Sequence, residues 1–208
     1  MSNQTNKYKS ILILTPIFGA ILFIVLYIVA AFFYPGGSQA DKHSVGFSLV
    51  NNYWCNLLGE NAQNGQPNSA KPVAMMGLFV LCITLSLFWI LFSWHTNISK
   101  KLKLSIPVAG LLSMSTAFLL FTGLDHDSIT NLASAFGLIA TIGTLLGLYQ
   151  VKWFNLFAFG LMNILLVVLN NYVYYSKGMI VYLPVIQKIS FAVFLIWICC
   201  ICIKLYRK

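Results

Sequence analysis

The sequence has few acidic residues and little charge of either sign. Only 4 of its 208 residues are Asp or Glu, and charged residues make up 8% of the chain. Soluble domains carry about 25% charged residues, whereas hydrophobic residues make up 59% of this chain. A surface with so little charge is suited to lipid rather than water, so the composition predicts an all-α, polytopic membrane helix bundle.

The sequence also lacks the common motifs of enzymes and disulfide-rich proteins. It contains no Walker, G-x-S-x-G, H-E-x-x-H or dinucleotide-binding pattern. Its 5 cysteines include Cys55 and Cys82 in separate segments and three more near the end of the last apolar run, which indicates no disulfide framework. The net charge of +9 would favour nucleic acid in a soluble protein. Here the basic residues flank apolar runs, so we expect no nucleic-acid partner.

Six apolar runs are long enough to cross a bilayer, which takes about 20 helical residues. They cover residues 11–33, 73–94, 104–124, 129–150, 154–174 and 180–203. The first run is longer than the core of a signal peptide, so we interpret it as a retained helix. The sequence thus predicts one transmembrane domain, residues 1–208, with six transmembrane helices and the lipid bilayer as its partner.

The distribution of Lys and Arg predicts the orientation, because cytoplasmic loops are enriched in both. If the N-terminus is cytoplasmic, the inner segments contain Lys7, Lys9, Lys100, Lys101, Lys103, Lys152, Lys204, Arg207 and Lys208. The outer segments contain only Lys42, Lys71 and Lys177. We therefore expect both termini in the cytoplasm, and all four carboxylates then lie on the outer side.

The first outer segment, residues 34–72, is the one long polar interruption. Apolar residues recur at helical spacing, namely Phe47, Val50, Tyr53 or Trp54, and Leu57 or Leu58. This spacing predicts an amphipathic helix at the membrane interface. Aromatic residues of such a helix sit at headgroup level. The candidate residues for binding a lipid or small amphiphile are Tyr53, Trp54, Asn56 and Lys188, of which Lys188 either snorkels to the interface or pairs with an acid.

A stripe of small residues marks the fourth predicted helix. Its members, at spacings of three and four, are Ala133, Gly137, Ala140, Thr144 and Gly147. Small residues let membrane helices approach closely. We expect the third and fourth helices to form a tight antiparallel hairpin.

The turn between those helices carries the candidate catalytic residues Asp125, His126 and Asp127. A histidine flanked by carboxylates can act as a general base or bind a divalent metal. The candidate metal ligands are His126, Asp125, His43 and Glu60. Two alternatives are a structural role, because Asp127 or Ser128 can cap the fourth helix, and a place on a proton or ion path.

Two stretches, NNYWCNLLGENAQNGQPNSAKPVAMMG and FTGLDHDSIT, resemble a family of uncharacterised bacterial six-helix membrane proteins. That family is grouped with the DRAM and PGAP-type membrane proteins, some of which are linked to lipid remodelling or membrane trafficking. The family's acid before Leu-Gly is replaced here by Asn56. The resemblance implies a bacterial cytoplasmic (inner) membrane location.

The sequence is compatible with three functions. The first is an integral membrane protein with an outward-facing pocket that binds a lipid or small amphiphile. The second is a metal-dependent membrane hydrolase or transferase that acts on lipid at the outer leaflet, and the third is a small transporter or channel subunit. The sequence leaves open whether the protein is an enzyme, and it identifies no cofactor, protein partner or oligomeric state.

Overall fold

The computed structural model describes residues 11–122, 125–176 and 178–208, without the side chains of Phe121, Thr122 and His126. The described residues form six α-helices and no β-strand. In chain order the helices are α1 (Thr15–Phe32), α2 (Lys71–His95), α3 (Lys100–Phe118), α4 (His126–Gln150), α5 (Phe154–Tyr175) and α6 (Leu183–Tyr206). Short 3₁₀ helices cover Trp54–Leu58, Leu119–Thr122 and Ile180–Tyr182. The predicted all-α fold is confirmed in these residues, with one α-helix in each of the six predicted apolar runs.

Five of these helices are long and apolar enough to cross a membrane, namely α1, α2, α4, α5 and α6. They identify the chain as an integral membrane protein. Among the described helices α3 does not qualify, and it begins with three lysines, Lys100, Lys101 and Lys103. Large apolar side chains stand exposed on the spanning helices, including Phe18 at 66% and Leu165 at 68%. Lipid tails would cover such a surface, whereas water would hydrate it at a cost.

Helices α3 and α4 pack against each other through small residues, as the stripe in α4 predicted. The Ser113 hydroxyl donates a 2.7 Å hydrogen bond to the Ala133 carbonyl. A Cβ on Gly137 would lie 3.0 Å from the Ser113 hydroxyl, and one on Gly143 would lie 2.8 Å from the Ile106 side chain. Residue numbers fall along α3 as they rise along α4, so the pair is antiparallel.

The amphipathic helix predicted around residues 47–58 is wrong in extent, because only Trp54–Leu58 is helical and it is a 3₁₀ helix. In the residues before this 3₁₀ helix, side-chain oxygens accept hydrogen bonds from main-chain N–H groups. The Ser48 N–H donates to the Asn52 side chain at 2.9 Å, and the Tyr53 N–H donates to the Asn56 side chain at 2.7 Å. The first bond favours a turn over a helix, and the second caps the 3₁₀ helix, which therefore begins only at Trp54.

Chain contacts divide the protein into two compact units. The first contains the chain up to Ile21, then Phe79–Gly160 and Ile196–Lys208. The second contains Leu22–Leu78 and Leu161–Leu195. The polar segment after α1 belongs to the second unit, and the Asp125–Asp127 turn belongs to the first.

Candidate functional site

The segment between α1 and α2, residues 33–70, is a folded structure, which we call the polar connection. Two adjacent glycines begin it in backbone conformations with positive φ, +144° at Gly36 and +80° at Gly37. The Gly37 N–H donates to the Ser44 carbonyl at 2.7 Å. A Cβ on Gly37 would lie 2.3 Å from the Asn64 nitrogen, so only glycine fits this turn.

Asn52 organises the first half of the polar connection from a fully buried position. Its Nδ2 donates to the Gly37 carbonyl at 2.9 Å, and its Oδ1 accepts the Ser48 N–H at 2.9 Å. The side chain therefore joins two parts of the connection. Its nitrogen binds the glycine turn 15 residues earlier in the chain, and its oxygen binds the loop that contains Asn52 itself. Buried polar side chains with satisfied hydrogen bonds fix one arrangement of the backbone.

Asn68 plays the same part in the second half. Its Nδ2 lies 3.1 Å from the carbonyl oxygens of both Asn56 and Leu57, and 2.9 Å from that of Gly59. Its Oδ1 accepts the Ala70 N–H at 3.1 Å, immediately before α2. One amide thus holds the end of the 3₁₀ helix against the start of a spanning helix.

Lys188, in the second turn of α6, reaches into the polar connection. Its ammonium donates to the main-chain carbonyl of Asn52 and to that of Pro184, the latter at 3.0 Å. The same nitrogen lies 5.7 Å from the Phe47 ring centroid and 5.5 Å from that of Trp54. Both distances are within the range of a cation–π interaction. We call these groups, two carbonyls and two rings around one ammonium, the Lys188 cage.

Further aromatic contacts fix the walls of the Lys188 cage. The Phe47 and Trp54 rings stack with centroids 5.9 Å apart and an interplanar angle of 16°. Tyr27 of α1 meets the Trp54 ring edge-on at 5.3 Å, and Tyr34 meets the Phe47 ring edge-on at 5.5 Å. The main-chain N–H of Trp54 donates to the Gln187 side-chain oxygen at 3.4 Å, a long bond that again joins the connection to α6.

Burial disfavours ionisation of two tyrosines in the polar connection. Burial raises the pKa of Tyr34, although its hydroxyl oxygen accepts the Gln63 N–H at 2.9 Å, which acts in the opposite direction. Burial likewise raises the pKa of Tyr53. Both phenols are therefore neutral at physiological pH and serve as hydrogen-bonding and packing groups rather than as bases.

The Asp125–Asp127 turn begins helix α4, and the cap is Asp125 rather than the predicted Asp127 or Ser128. The Asp125 carboxylate accepts the Ser128 N–H at 2.8 Å. Asp127 lies in the first helical turn, where a carboxylate interacts favourably with the helix dipole. The side chain of His126 lies outside the described residues. Capping accounts for the Asp125 geometry, and the catalytic role of this turn stays a prediction.

The structure shows an ion pair for Glu60 and a main-chain hydrogen bond for His43, the other two candidate metal ligands. Glu60 forms an ion pair with Lys71 at the start of α2. The backbone N–H of His43 donates to the Asp41 carboxylate at 2.8 Å, which forms a local turn. Among the described residues no group of three or more His, Cys, Asp or Glu side chains is placed to hold a metal ion. The metal site, which also included His126, stays a prediction.

The structure thus brings together Trp54 and Lys188, two of the four predicted lipid-binding residues, with Tyr53 and Asn56 adjacent in sequence. The prediction missed Phe47 as a cage residue and Asn52 as the acceptor for Lys188. Phe47 and Trp54 are seven residues apart, a spacing that did indicate a shared face, although not in a helix. Nothing in the local sequence signals that a main-chain oxygen at residue 52 binds a lysine 136 residues later.

Comparisons with protein-family models, with curated proteins and with solved structures find no match to this chain.

Proposed function

We propose that this protein binds an anionic lipid or small anionic amphiphile at the outer face of a membrane, beside the Lys188 cage. The observation that carries the proposal is the environment of the Lys188 ammonium. In the part of the chain that the structure describes, this cation contacts carbonyl oxygens and aromatic rings, and no carboxylate pairs with it.

A partly buried cation without a carboxylate partner favours an anionic ligand. An ammonium has three N–H donors, and carbonyls of the described residues accept from it twice. Carbonyl dipoles and ring faces compensate part of the cost of removing a cation from water, but neither supplies a negative charge. A phosphate or carboxylate headgroup would supply that charge and occupy the remaining donor.

Apolar side chains of the polar connection provide a surface for the tail of such a ligand. Val45 is 96% exposed, Leu49 is 63% exposed and Val50 is 60% exposed. All three lie within the same connection as the rings of the Lys188 cage. A cation and exposed aliphatic groups in one connection match the two parts of an amphiphile, its charged headgroup and its apolar tail.

The proposal places six spans in the membrane, with α3 as the sixth. At 19 residues, α3 is about 28 Å long, close to the thickness of a bilayer core. Its three N-terminal lysines then lie at the cytoplasmic end, and the polar connection lies outside. This topology and the bacterial inner-membrane location are part of the proposal, as is the resemblance to the DRAM and PGAP-type membrane proteins.

The topology has a direct test with single cysteines placed in a chain whose native cysteines are replaced by serine or alanine. A membrane-impermeant maleimide added to whole cells is expected to label the Lys42→Cys variant. It is expected to leave the Lys101→Cys variant unlabelled until the cells are opened. Labelling in the reverse order would overturn the orientation.

Ligand binding is tested with a dansyl-labelled fatty acid, whose fluorescence rises when its probe leaves water. With protein purified in a neutral detergent, Lys188→Gln is expected to raise the dissociation constant by about tenfold, since it removes a charge-assisted contact. Lys188→Arg keeps the charge and is expected to retain most of the affinity. The matched control is Lys42→Gln, an exposed lysine of the same connection. Equal affinity in wild type, Lys188→Gln and Lys42→Gln would overturn the proposal.

A further inference from the structure

A second site lies in the other compact unit, where α4 ends, α5 begins and α6 ends. There a cleft of about 720 Å³ is lined by four basic residues, Lys152, Lys204, Arg207 and Lys208. None of the residues that line it is acidic, and Trp153, Phe154 and Asn155 provide its aromatic and amide surface. This volume is in the range of small-molecule sites, which are about 300–1,000 Å³.

The cations gather around Trp153 rather than spreading away from each other. The Lys204 and Lys208 ammonium groups each lie 5.9 Å from the Trp153 ring centroid. Like charges on one aromatic ring repel each other, and a bound anion would relieve that repulsion. A cation in the last turn of α6 also interacts favourably with the helix dipole, which accounts for Lys204 alone.

Lys152 occupies a backbone conformation that its side chain disfavours. Its φ is +61°, and it is the one non-glycine residue of the described chain with positive φ. The Lys152 N–H donates to the Tyr149 carbonyl and the Trp153 N–H donates to the Leu148 carbonyl, at 3.1 and 2.9 Å. These two bonds form a Schellman motif at the end of α4, in which glycine is the usual residue at the position of Lys152. Lys152 thus occupies a strained position whose side chain lines the cleft.

The start of α5 adds backbone donors to the same cleft. The first helical bond runs from the Phe157 N–H to the Trp153 carbonyl at 2.9 Å, so the N–H groups of Phe154, Asn155 and Leu156 have no acceptor within the helix. A helix N-terminus binds anions through such groups. The first turn of α5 is anchored to α6 by the Trp197 indole N–H, which donates to the Leu156 carbonyl at 2.8 Å.

We propose that this cleft binds a phosphate group, held by Lys152, Arg207 and the lysines that flank Trp153. A phospholipid headgroup and a soluble phosphate compound share that chemistry. The position at the ends of spanning helices, with a tryptophan among the lining residues, suits a ligand at the level of lipid headgroups. This site is separate from the Lys188 cage and does not depend on it.

The test uses native mass spectrometry of the full chain in neutral detergent, incubated with dioleoyl-phosphatidylglycerol or dioleoyl-phosphatidylcholine. Wild type is expected to retain phosphatidylglycerol more strongly. Arg207→Gln and Lys152→Gly are each expected to reduce that affinity by about fivefold, as for loss of one basic residue near an anionic headgroup. The matched control, Lys103→Gln, removes one exposed lysine outside the cleft and is expected to leave retention unchanged.

Lys152→Gly separates binding from structure, because glycine suits the conformation of residue 152. Its thermal stability is expected to rise while its lipid retention falls. Competition with inorganic pyrophosphate identifies the source of the ligand: displacement of the lipid indicates recognition of phosphate alone, and no displacement indicates a lipid headgroup. Retention by the Lys152→Gly/Arg207→Gln double variant equal to that of Lys103→Gln would overturn the proposal. Lys188→Gln removes any retention at the Lys188 cage, and the loss caused by Lys152→Gly/Arg207→Gln is expected to be the same with and without it, so the two proposals fail independently.

Discussion

The Lys188 ammonium donates a hydrogen bond to the main-chain carbonyl of Asn52, a residue 136 positions earlier. The Asn52 side chain donates in turn to the Gly37 carbonyl. One buried asparagine therefore joins the first turn of the polar connection to the last helix. The link begins at the Lys188 side chain and ends at the Gly37 carbonyl, so Lys188 is one of the groups that fix the shape of the connection.

Replacing Lys188 with methionine is expected to loosen the polar connection. A hydrogen bond from a charged group contributes about 1.5–3 kcal/mol, and the methionine keeps the apolar stem while it removes the donor. Limited proteolysis of the purified protein measures the effect, with faster cleavage expected within residues 34–70. Lys42→Met, which changes an exposed lysine of the same connection, is the control. Equal cleavage rates in the two variants would show that the cage does not hold the connection.

Asn68→Asp is expected to be more disruptive than its small change in shape suggests. The variant replaces a donor that faces the carbonyls of Leu57 and Gly59 with a carboxylate oxygen, so that acceptor meets acceptor. An unsatisfied or repelled buried polar group costs about 1–3 kcal/mol. The measurement is the melting temperature in detergent, with Asn61→Asp, an exposed asparagine of the same connection, as the control. A melting temperature equal to that of the control would contradict the role assigned to Asn68.

The helices were predictable because their signal is local. Runs of about 20 apolar residues mark spanning helices wherever they occur, since the lipid core leaves no other option for the backbone. The run predicted at 104–124 is displaced, and α3 covers Lys100–Phe118 instead. A span predicted from hydropathy begins after the lysines, because charged residues are counted against it. The helix itself begins earlier, at Lys100, because lysine side chains at a helix end can reach polar surroundings.

The polar connection was not predictable in the same way, because its structure depends on contacts between distant residues. The spacing of Phe47 and Trp54 indicated a common face, but the buried Asn52 converts that stretch into turns. Lys188 was expected to snorkel or to pair with an acid. It contacts two carbonyls and two rings instead. All of these partners except the Pro184 carbonyl come within reach only after the connection has folded back onto α6.

Gly110→Ala is expected to destabilise the protein, although alanine is the better helix former. A Cβ on Gly110 would lie 2.3 Å from the ring of Trp89, which is almost fully buried. Overpacking of this kind costs about 1–3 kcal/mol, more than the gain of about 1 kcal/mol in helix propensity. Thermal unfolding in detergent measures the difference. Gly178→Ala is the control, because nothing lies within 4 Å of its added methyl group, and a Gly110→Ala variant as stable as that control would refute close packing of α2 and α3.

Two substitutions of Asp125 separate helix capping from catalysis. Asp125→Ala removes the acceptor for the Ser128 N–H and is expected to lower stability by about 1 kcal/mol. Asp125→Asn keeps an oxygen acceptor and removes the charge, so its melting temperature is expected to stay near that of wild type.

Metal content by elemental analysis and binding of the dansyl-labelled fatty acid are measured on both variants. If Asp125→Asn keeps its stability but loses a stoichiometric metal that wild type holds, the carboxylate serves chemistry as well as capping. If the metal content and ligand affinity of Asp125→Asn match those of wild type, capping is the role of Asp125.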